Sequence, residues 1–66
     1  MLVNGKEISI QELSEPKIEE LIKKFQLQKH TLAIEINGKV IPRSEWEHVV
    51  LKDEDKIELI RFVGGG

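Results

Sequence analysis

The residues with chemistry to offer stand at the end of this sequence, Val63-Gly64-Gly65-Gly66, where an apolar strand-like run gives way to three glycines and a terminal carboxylate. Glycine has no Cβ and loses the most conformational freedom on ordering, so such a run adds nothing to a core. Extended, it is a backbone thread roughly 10 Å long, at about 3.3 to 3.6 Å per residue, thin enough for a tunnel that no side chain enters. A terminal carboxyl group with a pKa of about 3.3 to 3.7 is ionised at neutral pH and is a poor electrophile. It becomes useful once activated. Adenylation by a partner converts it into an acyl-phosphate anhydride, from which a sulfur nucleophile displaces AMP to leave a thiocarboxylate or thioester.

Nothing else in the chain competes for a reactive role. There is no cysteine, which removes disulfides, thiolate metal sites and thiol nucleophiles, so any sulfur handled here is held by another atom. The remaining glycines, Gly5 and Gly38, belong to neither a GxxxxGK nor a GxGxxG pattern, and ATP chemistry has to come from a partner. His30 and His48 each lack a second ligand at metal spacing and read as surface residues. Glu19-Glu20 and Asp53-Glu54-Asp55 read as solvated charge on a helix and in a turn. Phe25 and Trp46 read as core aromatics, with Trp46 anchoring the turn after Pro42. No bound cofactor and no metal are expected.

A chain of 66 residues is one domain with a small core. Its 39% hydrophobic and 33% charged residues place it among folded globular chains. A net charge of −2, with both signs interleaved, gives no footprint for nucleic acid or anionic lipid. No apolar run approaches the ~20 residues of a membrane span and the N-terminus shows no signal-peptide pattern, so the cytoplasm is the expected location.

The elements that must position the tail follow from local pattern. Met1 to Ile10 reads as two strands around Asn4-Gly5, a dipeptide suited to a type I′ turn, with Ile8 and Ile10 alternating with Glu7, Ser9 and Gln11. Ser14-Glu15-Pro16 announces a helix, proline being suited to the first turn. Ile18, Leu21, Ile22 and Phe25 then fall on one face, with Lys17, Glu20, Lys23 and Lys24 opposite. Gln26 to Thr31 is a connection from which Leu27 tucks back. Leu32–Ile36 and Lys39–Ile41 form a second hairpin around Asn37-Gly38, Pro42 to Trp46 a helical turn, Val49 to Leu51 an apolar return, and Lys52 to Asp55 a charged turn. Lys56 to Val63 is the final strand. One helix between two hairpins, with the last strand returning beside the first, predicts an α+β layer of a helix on a mixed sheet. Residues 1–63 are the domain and 64–66 a flexible glycine tail.

The final strand has two apolar faces. Ile57 and Leu59 share one, and the same phase carries Arg61 and Val63; Glu58, Ile60 and Phe62 share the other. Ile60 and Phe62 therefore imply either a bulge or a sheet covered on both sides, or an apolar docking patch beside the tail.

This frame, the segment Ile36-Asn37-Gly38-Lys39-Val40-Ile41-Pro42-Arg43-Ser44-Glu45-Trp46 and the ending Phe62-Val63-Gly64-Gly65-Gly66 resemble the ThiS family, the sulfur carriers of thiamine biosynthesis, over essentially the whole chain. A Gly-Gly ending alone is shared with ubiquitin and the MoaD carriers of molybdopterin synthesis; the central hairpin, the Pro-Arg-Ser-Glu-Trp run and the short length narrow the resemblance. It implies a β-grasp fold, one helix on a mixed four- to five-stranded sheet with the first and last strands parallel at its centre. It also implies a carrier rather than an enzyme. Gly66 would be adenylated by a ThiF-like adenylyltransferase using ATP, converted to a thiocarboxylate with sulfur from a persulfide donor, and presented to thiazole synthase, ThiG. Gly64 and Gly65 would line the threaded segment, and Phe62 and Val63 would seat it on partners; the phase of the final strand adds Ile60 to that partner-binding set. The superfamily needs only two glycines, and Gly64 is the extra one. Delivery to molybdopterin synthase or to a tRNA-thiolating system, and a β-grasp binding module with incidental glycines, are the alternatives.

Overall fold

The computed structural model describes residues 1–62. Both Asn-Gly pairs turn the chain as their sequence predicts. Asn4 (φ 52°) and Gly5 (φ 81°) join β1 (Leu2–Val3) to β2 (Lys6–Glu7). Asn37 (φ 52°) and Gly38 (φ 85°) join β3 (Leu32–Ile36) to β4 (Lys39–Val40). Positive φ at both central residues is type I′ geometry, whose twist matches that of the flanking strands. The last strand, β5 (Lys56–Arg61), lies between the hairpins, parallel to β1 and antiparallel to β3. The sheet order is β2-β1-β5-β3-β4.

One face of this sheet and the helix α1 (Ile18–Lys24) enclose the core. Val3, Leu32, Ile34, Ile36, Ile57 and Leu59 come from the strands, and Ile18, Leu21 and Ile22 from the helix, at the predicted spacing. Each such side chain contributes about 1.5 to 3 kcal/mol on burial, which is how a chain this short stays folded. Met1, Ile8, Trp46 and Leu51 complete the cluster, and Phe25 and Leu27 are half-buried against it. Trp46 sits in a 3₁₀ turn, Arg43–His48, and its Nε1–H donates to the Ile41 carbonyl at 2.9 Å. A buried indole needs such a partner, and here the bond fixes the turn after Pro42.

Three local expectations are corrected by the structure. The alternation through Ile8 and Ile10 does not extend β2, which ends at Glu7. Ser9 instead caps a 3₁₀ turn, Ile10–Glu12: its Oγ accepts from Gln11 N–H at 3.1 Å, and its own N–H donates to Glu12 Oε2 at 2.9 Å. Ser9-x-x-Glu12 is a capping box, a signal that competes with the period-two alternation of Ile8 and Ile10. The helix begins at Ile18, not within Ser14–Pro16, with extended Lys17 as N-cap. Pro16 stays outside because its carbonyl accepts the Leu51 N–H at 2.8 Å, tying the apolar return to the helix entry. The predicted second strand of the later hairpin stops at Val40 rather than Ile41.

The helix ends in a Schellman arrangement. Leu27 N–H donates to the Ile22 carbonyl at 2.9 Å and Gln26 N–H to that of Lys23 at 3.2 Å, with Gln26 at φ 55°. This 6→1 and 5→2 pairing satisfies carbonyls at the helix end and turns Leu27 back onto the core.

Candidate functional site

The central strand β5 leads directly to the residues singled out for chemistry. Val63, Gly64, Gly65 and Gly66 lie outside the described residues; Ile60, Arg61 and Phe62 form the base from which they leave. The register of β5 against β3 runs unbroken from Ile36 opposite Ile57 to Leu32 opposite Arg61. One more bond, from Phe62 N–H to the Thr31 carbonyl at 2.8 Å, extends the ladder past the strand. The base is therefore clamped along its β3 side up to Phe62.

The β1 side of β5 is closed by a side chain. β1 ends at Val3, after which Asn4 N–H donates to the Ile57 carbonyl at 2.9 Å. The carboxamide of Asn4 then accepts from Leu59 N–H at 2.7 Å and donates to the Leu59 carbonyl at 3.2 Å. In effect the side chain continues the ladder for one more residue. Asn37 does the same at the other hairpin: its backbone N–H donates to the Lys56 carbonyl at 2.8 Å and its Oδ1 accepts from Lys56 N–H at 3.0 Å. Turn preference already accounts for asparagine at both positions, so the sequence held no separate signal for this second role.

Of the two readings of Ile60 and Phe62, the geometry leaves the exposed patch. The unbroken register contains no bulge, and among the described residues no layer covers the sheet face away from α1. Ile60 is 43% exposed and Phe62 is 62% exposed. Leu2 and Val40, both exposed, belong to the same face by register, as does Ala33 opposite Ile60. Glu35 and Glu58, directly paired, interrupt the apolar stripe. Ile60 thus lies on an open face at the tail's base, and Phe62, just beyond the last paired residue, is exposed next to it.

On the opposite face, Arg61 is exposed although it has the phase of buried Ile57 and Leu59. It lines two shallow depressions. One, of about 310 Å³, is walled by Val3, Asn4, Phe25, Leu27 and Leu59; the other, of about 290 Å³, by Gln26, Gln28, Thr31 and Phe62. A charged residue at a core-phase position is the signal in the sequence that marks Arg61.

No group of three or more His, Cys, Asp or Glu side chains is gathered as a metal site among the described residues. No described helix is long and apolar enough to cross a membrane. His30 and His48 are exposed, with His48 Nε2 3.8 Å from Glu47. The arrangement can present a terminal segment from its most firmly paired strand, beside an apolar face.

Comparison with known proteins agrees with this geometry. The ThiS family profile matches residues 1–66. The sulfur carrier protein ThiS of Bacillus subtilis is 33% identical over 64 residues, covering 97% of this chain and 96% of that protein. A thiazole synthase of Paramagnetospirillum magneticum is 29% identical over 66 residues; the match takes in all of this chain, which spans only 20% of that protein's length. The crystal structure of the thiamine biosynthesis protein ThiS from Geobacter metallireducens superposes with a TM-score of 0.77 at 30% identity, covering 98% of this chain and 96% of that one. With a family match over its whole length and the same β-grasp architecture, the chain belongs to the ThiS family.

Proposed function

We propose that the chain carries sulfur for thiazole formation in thiamine biosynthesis, as a thiocarboxylate at Gly66. The observation that carries this reading is the near end-to-end likeness to a protein named as a sulfur carrier, 97% of this chain against 96% of the relative. In this scheme the Gly66 carboxylate attacks the α-phosphate of ATP on a ThiF-like adenylyltransferase, releasing pyrophosphate. The terminal sulfur of a persulfide then displaces AMP, and reductive cleavage of the acyl disulfide by a thiol leaves the thiocarboxylate. ATP and the sulfur donor belong to the partner system; the chain acts as co-substrate.

Delivery to thiazole synthase ThiG is supported by the thiazole synthase that contains a segment alignable with this whole chain. Val63, Gly64 and Gly65 would thread into each partner, while Ile60 and Phe62 supply the apolar surface against which the partner closes. The fold accounts for the division of labour: the paired strand ends at a fixed place, and the glycines beyond it need no room for side chains.

Incubation with the activating enzyme, ATP and a persulfide donor is expected to raise the intact mass by the exchange of one oxygen for one sulfur. Deleting Gly65 and Gly66 is expected to leave folding unchanged and abolish that gain. A carrier that loads no sulfur, with an enzyme shown active on another carrier, defeats the proposal. Loading followed by transfer to molybdopterin synthase or to a tRNA-thiolating system, and not to thiazole synthase, would reassign the destination.

A further inference from the structure

Arg61 differs from the lysines around the helix in what surrounds it. Lys23 and Lys24 face Glu20 and Glu12 at 3.6 and 3.4 Å, and Lys29 pairs with Glu19. Arg61 instead stands between the apolar depression of Val3, Phe25, Leu27 and Leu59 and the polar one of Gln26, Gln28, Thr31 and Phe62. No other residue lining either depression carries a charge. The cause is a mismatch of lengths. α1 ends at Lys24 and the chain turns back at Gln26, whereas β5 runs on to Arg61 opposite buried Leu32. The strand outruns the helix that covers it, and an arginine occupies the core-phase position left open.

A guanidinium beside an apolar floor suits a carboxylate: it offers a planar, bidentate fork and is less strongly hydrated than an ammonium group. The floor itself takes an aliphatic or aromatic side chain adjacent to that carboxylate. We propose that Arg61 and the depression formed by Val3, Phe25, Leu27 and Leu59 are the recognition site for the ATP-dependent activating enzyme, whose rim presents an acidic residue next to an apolar one. This rests on the reading of Gly66 as the activated group.

The geometry also says which kinetic constant is affected. Gly66 is five residue steps beyond Arg61, a span of roughly 17 Å when extended. The guanidinium therefore stays at the channel mouth, away from the phosphates of ATP, and acts on association rather than on the chemical step. A rim charge of this kind alters the on-rate and its salt dependence. The chain carries a net charge of −2, so an acidic rim on the partner gains nothing from the molecule as a whole and depends on this local cation.

The test is steady-state adenylation of the full-length carrier by its activating enzyme, followed by pyrophosphate release. Arg61→Glu is expected to raise KM for the carrier by about tenfold or more with kcat nearly unchanged, and Arg61→Lys to fall between it and the wild type. Raising the ionic strength is expected to narrow the difference between wild type and Arg61→Glu. Lys39→Glu makes the same change of charge on β4, near the opposite end of β5, and is expected to leave KM unaltered. Thermal melts confirm that both variants are folded, Arg61 and Lys39 being exposed. An unchanged KM in Arg61→Glu, or an equal rise in Lys39→Glu, overturns the proposal while the tail reading stands. Failure of the wild type to release pyrophosphate overturns both together.

Discussion

The carboxamide of Asn4 and the backbone of Leu59 exchange two hydrogen bonds, at 2.7 and 3.2 Å, across 55 residues of sequence. A turn residue thereby closes the open side of the central strand two residues before Arg61. Asn4→Gly keeps the turn geometry and removes only this amide. At about 0.5 to 1.5 kcal/mol per hydrogen bond, the variant is expected to lose about 1 to 3 kcal/mol in urea unfolding. Faster amide exchange at Leu59 than at Ile57 is expected to accompany the loss. Unaltered exchange at Leu59 would mean that the amide has no part in holding β5.

Gln26 occupies the left-handed position that ends α1, at φ 55°. A residue with a Cβ pays roughly 1 to 2 kcal/mol for that conformation, partly offset by the greater freedom that glycine loses on folding. Gln26→Gly is therefore expected to stabilise the domain by about 0.5 to 1 kcal/mol, which for a domain of this size raises Tm by about 2 to 8 °C. Calorimetry checks the sign.

Glu12 joins the 3₁₀ turn to the helix end, accepting from Ser9 N–H at 2.9 Å and lying 3.4 Å from Lys24 Nζ. The Ser9 hydrogen bond first, and then Lys24, hold its carboxyl below the ordinary value. A lowered folded-state pKa gives stability that is present above the unfolded pKa and lost as pH falls through the folded value. Glu12→Gln is expected to flatten the loss of stability on going from about pH 6 to about pH 3, a range that spans the ordinary carboxylate pKa. Denaturant titrations of both proteins across that range measure it; parallel curves would contradict it.

Glu35 and Glu58 lie directly opposite each other on β3 and β5, on the uncovered face. Like charges directly opposed across a ladder are destabilising, and cross-strand pairs contribute about 0.2 to 1 kcal/mol. Glu58→Thr removes the repulsion and adds a β-branched side chain next to Ile60. A gain within that range is expected in chemical unfolding, and it should shrink with added salt.

Ile60 and Phe62 serve binding rather than stability if their open face is where partners close. Ile60→Asp is expected to change unfolding free energy by less than about 1 kcal/mol, as exposed substitutions usually do. Its affinity for thiazole synthase, measured by titration calorimetry, is expected to fall by about tenfold or more, an interface apolar contact being replaced by an unpaired charge. Equal binding by the two proteins would move the interface elsewhere.

Much of this molecule is legible along the chain because the signals are local. Each Asn-Gly pair carries its own turn geometry, and the spacing of Ile18, Leu21 and Ile22 makes one face of a helix whatever packs on it. The terminal glycines and the absence of cysteine direct attention to the carboxylate for the same reason: they are facts of covalent composition. Local pattern fails where a distant group competes for the same backbone. Pro16 marks a helix start, but Leu51 N–H takes its carbonyl and the helix begins at Ile18. Ile8 and Ile10 alternate like a strand, but Ile10 N–H donates to Asp53 Oδ1 at 3.0 Å, 43 residues away, and the chain leaves the sheet. Whether Ile60 lies under a second layer or in the open depends on what else packs there, and no period in the sequence encodes it. Arg61 and Asn4 acquire their roles in the same way. The relative lengths of α1 and β5, and the placing of β1 beside β5, bring them to the base of the tail, and those are properties of elements packed together.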